Sequence, residues 1–462
     1  MLVQASGMHL ASTVRRSRRV WIGISNFGDR HTTALLALVV LLMGLLGVVW
    51  IQSAIAEFVG PITASGHHDF FAFYSAATLV RTHQAQSLYD ASVLTYLQRQ
   101  IFPQPVGYAG YMPFLNPPSA AVLLSPLAAL SEQSARLVWL SISLVLGAAC
   151  VFVLTLGRDR RIRALAVLVV VASFPTYQTL TEGQWSFVML LGCLGALAAA
   201  RRGHYYVAGL ALALLWLKPP VLVLVLLWLV LTRNWRTAAG MVVAVLALTV
   251  ITLPWAGVSS NVNYFGYLLS VSAAHVAGAG AAGQTAWEGA LPNMEGLIGL
   301  AAAMVGQQQP FAVDAITGLL AVIWVGVFAW GMRGHWLDHP IALRHTLAAA
   351  GLAFLLNPHL YAQDCILLMV FAALAFTRMP SPRVSGCGSS LRTQATVLLA
   401  VGVLLDLSAI DTYWSEGLFF RPLHLLTLIL MAGVVILVWP HAGTAGPRAE
   451  GAVKLPETSA ES

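Results

Sequence analysis

Charge is what this chain has least of. Only 9% of its 462 residues are Asp, Glu, Lys or Arg, and 58% are hydrophobic; a soluble domain carries roughly a quarter charged residues. Mean hydropathy is +0.77. No water-soluble fold hides that much apolar surface, so the composition specifies an all-α polytopic membrane protein with the lipid bilayer as its solvent. Cysteine is scarce as well. Cys150, Cys193, Cys365 and Cys387 lie in or beside apolar runs without a CxxC pair, which excludes a disulfide framework and reads as small core residues. No glycine-rich phosphate loop, nucleophile elbow, His-rich metal motif or Rossmann-like unit is legible, so neither a metal nor a cofactor is implied. The net charge of +7 does not argue for a nucleic-acid partner, because basic residues of a membrane protein report its topology.

Long hydrophobic runs are what the chain has in abundance. The first, TALLALVVLLMGLLGVVWIQSAIA, follows Arg15, Arg16, Arg18, Arg19 and Arg30. It exceeds a signal-peptide core and is long enough to span, so it is expected to be a retained helix. Further apolar segments fall near 135–156, 163–180, 184–200, 205–217, 220–231, 237–255, 312–332, 343–357, 363–378, 394–410 and 423–440. Two more, 118–131 and 290–306, are interrupted or flanked by proline. If neither crosses, 20 of the 25 Lys and Arg share the side of the N-terminus; if both cross, 14 do. The positive-inside bias favours about twelve spans (up to fourteen if both cross) with both ends cytoplasmic. The expected organisation is a basic cytoplasmic N-terminus over 1–32, an integral membrane domain over 33–440, and a disordered cytoplasmic tail over 441–462. Residues 57–117 form the first extracytoplasmic loop, with short interfacial helices, and 256–289 read as another outer loop with at most one such helix.

This topology gathers four unusual stretches on the outer face: HHDFFAFYSAA (67–77), TEGQW (181–185), WLKPP (216–220) and NPHLYAQD (357–364). An ionisable group at membrane depth is costly and marks a functional position by default. Asp69 has two readings, as an N-cap of the aromatic helix that follows and as a general base whose pKa is tuned by desolvation. His67 and His68 point opposite ways on an extended chain. They are read as interfacial or substrate-contacting rather than as metal ligands, with His68 facing sugar or acceptor. Lys218 stands between two apolar flanks too short to span singly, at a Lys-Pro-Pro break. It either snorkels or binds a phosphate delivered by a lipid, with Arg81 as a further cation. Glu182, Gln184 and Asp364 are candidate hydroxyl contacts, and Trp185 a stacking face. His359 is a phosphate or sugar contact, and Asp364 alternatively a first-turn acid. Tyr74, Tyr89 and Asp90 read as structural, and Asn116-Pro117-Pro118 as an extended turn before a short helix.

Taken in order, DFFAFYSAA, SLYD, FLNPPSAAVLLSPLAAL, EGQW, RRGHYYVAGLALALLWLKPP with NWR downstream, and NPHLYAQD resemble glycosyltransferase family 87 over about residues 35 to 380. Its members resemble polyprenol-phosphate-mannose-dependent α-mannosyltransferases of the GT-C fold. The resemblance implies a hexosyltransferase of the bacterial plasma (inner) membrane, with an extracytoplasmic site. Its catalytic base would be an aspartate of the first outer loop, here Asp69. The family's lysine would be Lys218 and its late histidine-acid pair His359 and Asp364. Implied partners are a polyprenyl-phosphate-linked sugar donor, a glycolipid or glycan acceptor, and the bilayer itself. The HH pair before Asp69 is not part of the expected pattern, and the last two spans and the tail fall outside it. Two other classes compete. A lipid or solute transporter would show repeats and midplane charges, and no repeat is visible; a non-catalytic envelope-assembly protein would tolerate loss of Asp69, Lys218 and His359 together.

Overall fold

The computed structural model describes residues 34–56, 69–101, 112–277, 294–306, 309–332, 343–357, 360–378, 388–413 and 425–438. They form helices joined by short turns and one two-residue strand pair. The apolar runs make helices because an unpaired backbone N–H or C=O in lipid costs several kcal/mol, and only intrahelical bonding satisfies every group. In chain order α1 is Ala34–Ala56, α2 Asp69–Arg81, α3 Ala91–Ile101, α4 Pro118–Leu124, α5 Glu132–Leu154, α6 Arg160–Ala172, α7 Phe174–Thr181, α8 Ser186–Arg201, α9 Tyr205–Leu212, α10 Pro219–Leu231 and α11 Trp235–Ala277. Strand β1 (Met294–Glu295) opens α12 (Gly296–Val305), followed by α13 (Pro310–Met332) and α14 (Leu343–Leu356). Strand β2 (Leu360–Tyr361) leads through a 3-10 turn, Ala362–Leu368, into α15 (Met369–Arg378), then α16 (Gly388–Tyr413) and α17 (Leu425–Val438).

Among the described residues, five helices are long and apolar enough to cross a bilayer: α1, α5, and the stretches Trp235–Leu268, Phe311–Gly331 and Leu391–Ala409 within α11, α13 and α16. The pair α6–α7, bent by 58°, makes a sixth if counted as one span. The remaining apolar helices are shorter. Starts and breaks follow local chemistry. The Ser131 hydroxyl accepts from the Ser134 N–H at 3.4 Å to cap α5, and Asp159 Oδ1 accepts from the Arg161 N–H at 2.8 Å to cap α6. Prolines sit in the first turns of α4, α7 and α10, where a missing N–H costs nothing. Helix α9 crosses α11 at glycine. A Cβ on Gly209 would stand 2.1 Å from the Thr237 carbonyl oxygen, so only glycine allows the two backbones to come this close.

The two segments of uncertain crossing are short helices on the site side. Helix α4 packs on α2, and β1, immediately before α12, pairs antiparallel with β2, Met294 opposite Tyr361 and Glu295 opposite Leu360. Ten residues of α12 rise about 15 Å, half the hydrocarbon thickness.

The one helix allowed for the outer stretch from 256 is present and is continuous with the span before it: α11 continues to Ala277 through a kink at Gly257, whose φ is 76°. Pro254 inside the helix removes a ladder hydrogen bond just before that kink. The outer part then packs against the first loop: Tyr267 stacks on Tyr89 at 5.3 Å, and Asn263 Nδ2 donates to the Gln86 carbonyl at 3.3 Å. Residues 278–289 of that expected loop lie outside the described residues.

Beneath the site is an aromatic core that includes Phe70, Phe73, Phe114, Trp139, Trp185 and Leu217, all buried. It is separate from the larger aliphatic core of the helix bundle.

Candidate active site

Asp69 is the first residue of α2. The next residue, Phe70, is 1% exposed, and burying such a ring contributes about 2 kcal/mol or more; the backbone that carries Asp69 is therefore anchored. Two hydrogen bonds tie it to the Glu182 turn. The Phe70 N–H donates to the Glu182 carbonyl at 2.8 Å, and the Asp69 N–H donates to Glu182 Oε2 at 3.2 Å. The Asp69 carboxylate accepts from Gln184 Nε2 on Oδ2. Among the described residues no backbone N–H of α2 donates to that carboxylate, so the capping reading is not what the side chain does here.

The turn that supplies these contacts is specified by glycine. Gly183 has φ 72°, and a Cβ there would stand 2.6 Å from the Cβ of Phe70. The Trp139 indole N–H donates to the Gly183 carbonyl at 2.7 Å, and the Gln184 N–H donates back to the Thr179 carbonyl at 3.0 Å, locking the turn onto α7. Sequence reasoning assigned Glu182 and Gln184 to sugar hydroxyls. The structure gives both a different task, holding Asp69 from its backbone and its side chain. Trp185 is corrected outright: it is 4% exposed, its ring lying edge-on to Trp139 at 4.7 Å and 6.1 Å from Phe73. No free face remains for a sugar.

Lys218 sits at the break between a 3-10 turn (Ala213–Leu217) and α10, with φ −136° and ψ 81°. Asn116 holds the break open: its Nδ2 donates to the Leu217 carbonyl at 2.7 Å, while its own carbonyl accepts from the Tyr89 hydroxyl at 2.9 Å. Lys218 Nζ donates to Asp364 Oδ2 and lies 5.6 Å from the centroid of the Tyr361 ring. The Lys218 side chain is 17% exposed and that of Asp364 fully buried. The same Asp364 oxygen accepts the Tyr361 N–H at 3.1 Å, so Asp364 is at once a first-turn cap and the counter-ion of Lys218. Its Oδ1 has no hydrogen-bond partner among the described residues.

These groups share one field. The Asp69 carboxyl is raised from 3.8 to about 6, with burial as the largest cause. The Lys218 ammonium and the Gln184 hydrogen bond pull it down, and the neighbouring Asp364 charge pushes it up again. Asp69, Lys218 and Asp364, each at least 146 residues from the other two in sequence, are thus brought to one place. Arg81 is not. It is exposed at the far end of α2, and twelve residues of helical rise put it about 18 Å from Asp69. His67, His68 and His359 lie outside the described residues. Tyr74 and Asp90 are structural, as expected: the Tyr74 hydroxyl donates to the Leu130 carbonyl at 2.8 Å, and Asp90 Oδ1 accepts from the Ser92 N–H at 2.9 Å to open α3.

The profile of glycosyltransferase family 87 matches residues 114–358, more than half of the chain. The chain belongs to glycosyltransferase family 87. No curated protein and no solved structure matches it. As a member of family 87 the protein is a membrane glycosyltransferase. The matched region contains the Asn116 turn, the Glu182–Trp185 turn and the Lys218 break. Asp69 and Asp364 lie outside it, and it is the folded geometry that joins them to the family's segment. Two residues gain roles only from the fold. Tyr361 lies under the Lys218 ammonium, 5.6 Å from its ring centroid. Asp406 is an acid in the middle of an apolar run, and intramembrane charge is the signal that finds such residues.

Proposed function

We propose that this family-87 glycosyltransferase moves a hexose, mannose in the pattern of the resemblance, from a polyprenyl-phosphate donor to a glycolipid or glycan acceptor on the extracytoplasmic face of a bacterial inner membrane. The observation that carries the proposal is the Asp69 carboxylate, half-buried, steadied on one oxygen by Gln184 and held in the field of the Lys218–Asp364 pair. A carboxylate poised near pH 6 is charged at neutral pH yet basic enough to take a proton in a transition state.

In this reading the acceptor hydroxyl gives its proton to Asp69 as its oxygen attacks the anomeric carbon. The bond from that carbon to the phosphate oxygen breaks, and polyprenyl phosphate leaves. A phosphate is already a good leaving group, so cations suffice on that side. Lys218 has three N–H donors; one is used by Asp364, leaving two for phosphate oxygens. His359, in the connection between α14 and β2, is the second proposed phosphate contact. Asp364 pairs with Lys218, and its remaining oxygen is available to a sugar hydroxyl. One in-line displacement inverts the anomeric centre, so a β-linked donor gives an α-linked product.

The test is the purified chain in nanodiscs with radiolabelled polyprenyl-phosphate-mannose and candidate acceptors. Asp69→Asn is expected to reduce transfer by roughly 10²–10⁴-fold, the usual contribution of a general base. Full transfer by that variant overturns the assignment.

A further inference from the structure

Helix α7 delivers the turn that holds Asp69, and its own beginning cannot be completed by its neighbours in sequence. The chain bends by 58° between α6 and α7, and Ser173 at the bend is extended, with φ −82° and ψ 139°. Ser173 occupies the N-cap position, but its hydroxyl is engaged with the Val170 carbonyl at 2.9 Å and Thr176 Oγ1 at 3.0 Å, and caps nothing. The first N–H groups of α7 can then be accounted for one by one. Those of Thr176 and Tyr177 donate to the Ser173 carbonyl at 3.1 and 3.2 Å. Pro175 has none. The remaining one, on Phe174, donates at 2.9 Å to Oδ1 of Asp406, which is 232 residues away on α16.

A carboxylate inside a membrane helix is expensive. Placed at the start of another helix, its oxygen accepts a backbone N–H that would otherwise be unpaired, which offsets part of that cost. Rings close the sides of the same junction, with Trp50 from α1 lying 5.0 Å from Phe174 and stacked on Tyr177 at 5.4 Å. Eight residues later α7 ends in Glu182, Gly183 and Gln184, the residues that grip Asp69. A short helix fixed at both ends transmits any error at its start to its end.

We propose that Asp406 is a positioning residue for the transfer reaction: by capping α7 from α16, it sets where the Glu182–Gln184 turn holds Asp69. It lies outside the segment matched by the family, and the proposal rests on the reading of Asp69 as the base.

The test uses the full chain in nanodiscs, comparing Asp406→Asn, which keeps an acceptor oxygen at the Oδ1 position, with Asp406→Leu, which has none. Asp406→Ser, whose hydroxyl is one atom too short, is the second variant without the acceptor and does not crowd the site. Asp406→Leu and Asp406→Ser are expected to lower kcat by roughly ten- to a hundredfold with the donor KM within about twofold. Loosening the Gln184–Asp69 bond also moves the acid limb of the pH profile to higher pH. Amide exchange in the peptide 174–185 should quicken by on the order of tenfold, the factor that loss of a cap imposes on local opening. Asp406→Asn should stay within about threefold of the unmodified chain on every measure. Unchanged kcat and exchange in the Leu and Ser variants overturns the proposal, as does an Asn variant as damaged as they are. Exchange is read without turnover, so the capping stands or falls by itself if the unmodified chain transfers no sugar, a result that instead removes the reading of Asp69.

Discussion

A carboxylate that serves as a base near neutral pH must be made more basic than in water without being neutralised at the working pH. At Asp69 burial supplies the first requirement and the Lys218 ammonium with the Gln184 hydrogen bond the second, leaving the group at about 6. The sign of the pH dependence follows. Transfer needs the deprotonated form, so kcat/KM should be level above pH 7 and fall about tenfold per pH unit well below 6, since it reports the free enzyme's essential base. Gln184→Leu removes a contact that favours the charged form, so its acid limb should lie at higher pH than that of the unmodified chain. A limb that stays in place, or moves down, contradicts the geometry of that hydrogen bond. At this scale much was legible in the sequence. Asp69 and Lys218 stood out because ionisable residues at membrane depth are rare. What each one touches was not legible, since Gln184 reaches Asp69 across 115 residues and Lys218 reaches Asp364 across 146.

At the level of elements, the Glu182–Gln184 turn shows how one glycine joins a helix end to the proposed base. Two glycines of this fold separate the backbone cost from the steric one. Gly203 has φ 79° with nothing within 4 Å of where its Cβ would stand; Gly183 has φ 72° and meets Phe70 Cβ at 2.6 Å. Gly203→Ala should therefore cost only the left-handed penalty, about 1–2 kcal/mol. Gly183→Ala should add roughly 1–3 kcal/mol for the clash with buried Phe70, and should also displace Asp69 and depress kcat. Thermal unfolding in nanodiscs alongside turnover checks both, and equal effects of the two substitutions would contradict the contact. Breaks at this level were partly readable. Lys-Pro-Pro announced the Lys218 break, but Asn116, read as a turn residue, gave no sign that its side chain would support that break from 101 residues away. Past Pro254, small polar residues read as loop, yet tertiary packing on Tyr89 and Gln86 keeps the chain helical beyond the Gly257 kink.

At the scale of the whole molecule, function depends on which face of the membrane the site opens to. Helical character and membrane residence follow from composition, because apolar runs in lipid have no other way to satisfy their backbone. The number of crossings does not follow as directly: among the described residues, apart from the five long helices and the bent pair, the apolar helices are 10–17 residues long. These shorter pieces abut at breaks such as Lys218, and length alone does not say whether a given pair crosses or re-enters. Basic residues add independent information, since Arg201 and Arg202 at the end of α8 fall on the side opposite Asp69 in the twelve-span arrangement and on the same side if 118–131 crosses. Impermeant maleimide labelling distinguishes the arrangements. His83, exposed with φ 59° in the turn after α2, and His204, exposed at the start of α9, are suitable positions for single cysteines. With the four native cysteines replaced by serine, intact cells should label His83→Cys directly and His204→Cys only after permeabilisation. Labelling of both from outside would place the α8–α9 turn on the same face as Asp69 and remove the twelve-span arrangement. Protection of His83→Cys in intact cells would turn the candidate site towards the cytosol, where a donor presented on the outer leaflet cannot reach it.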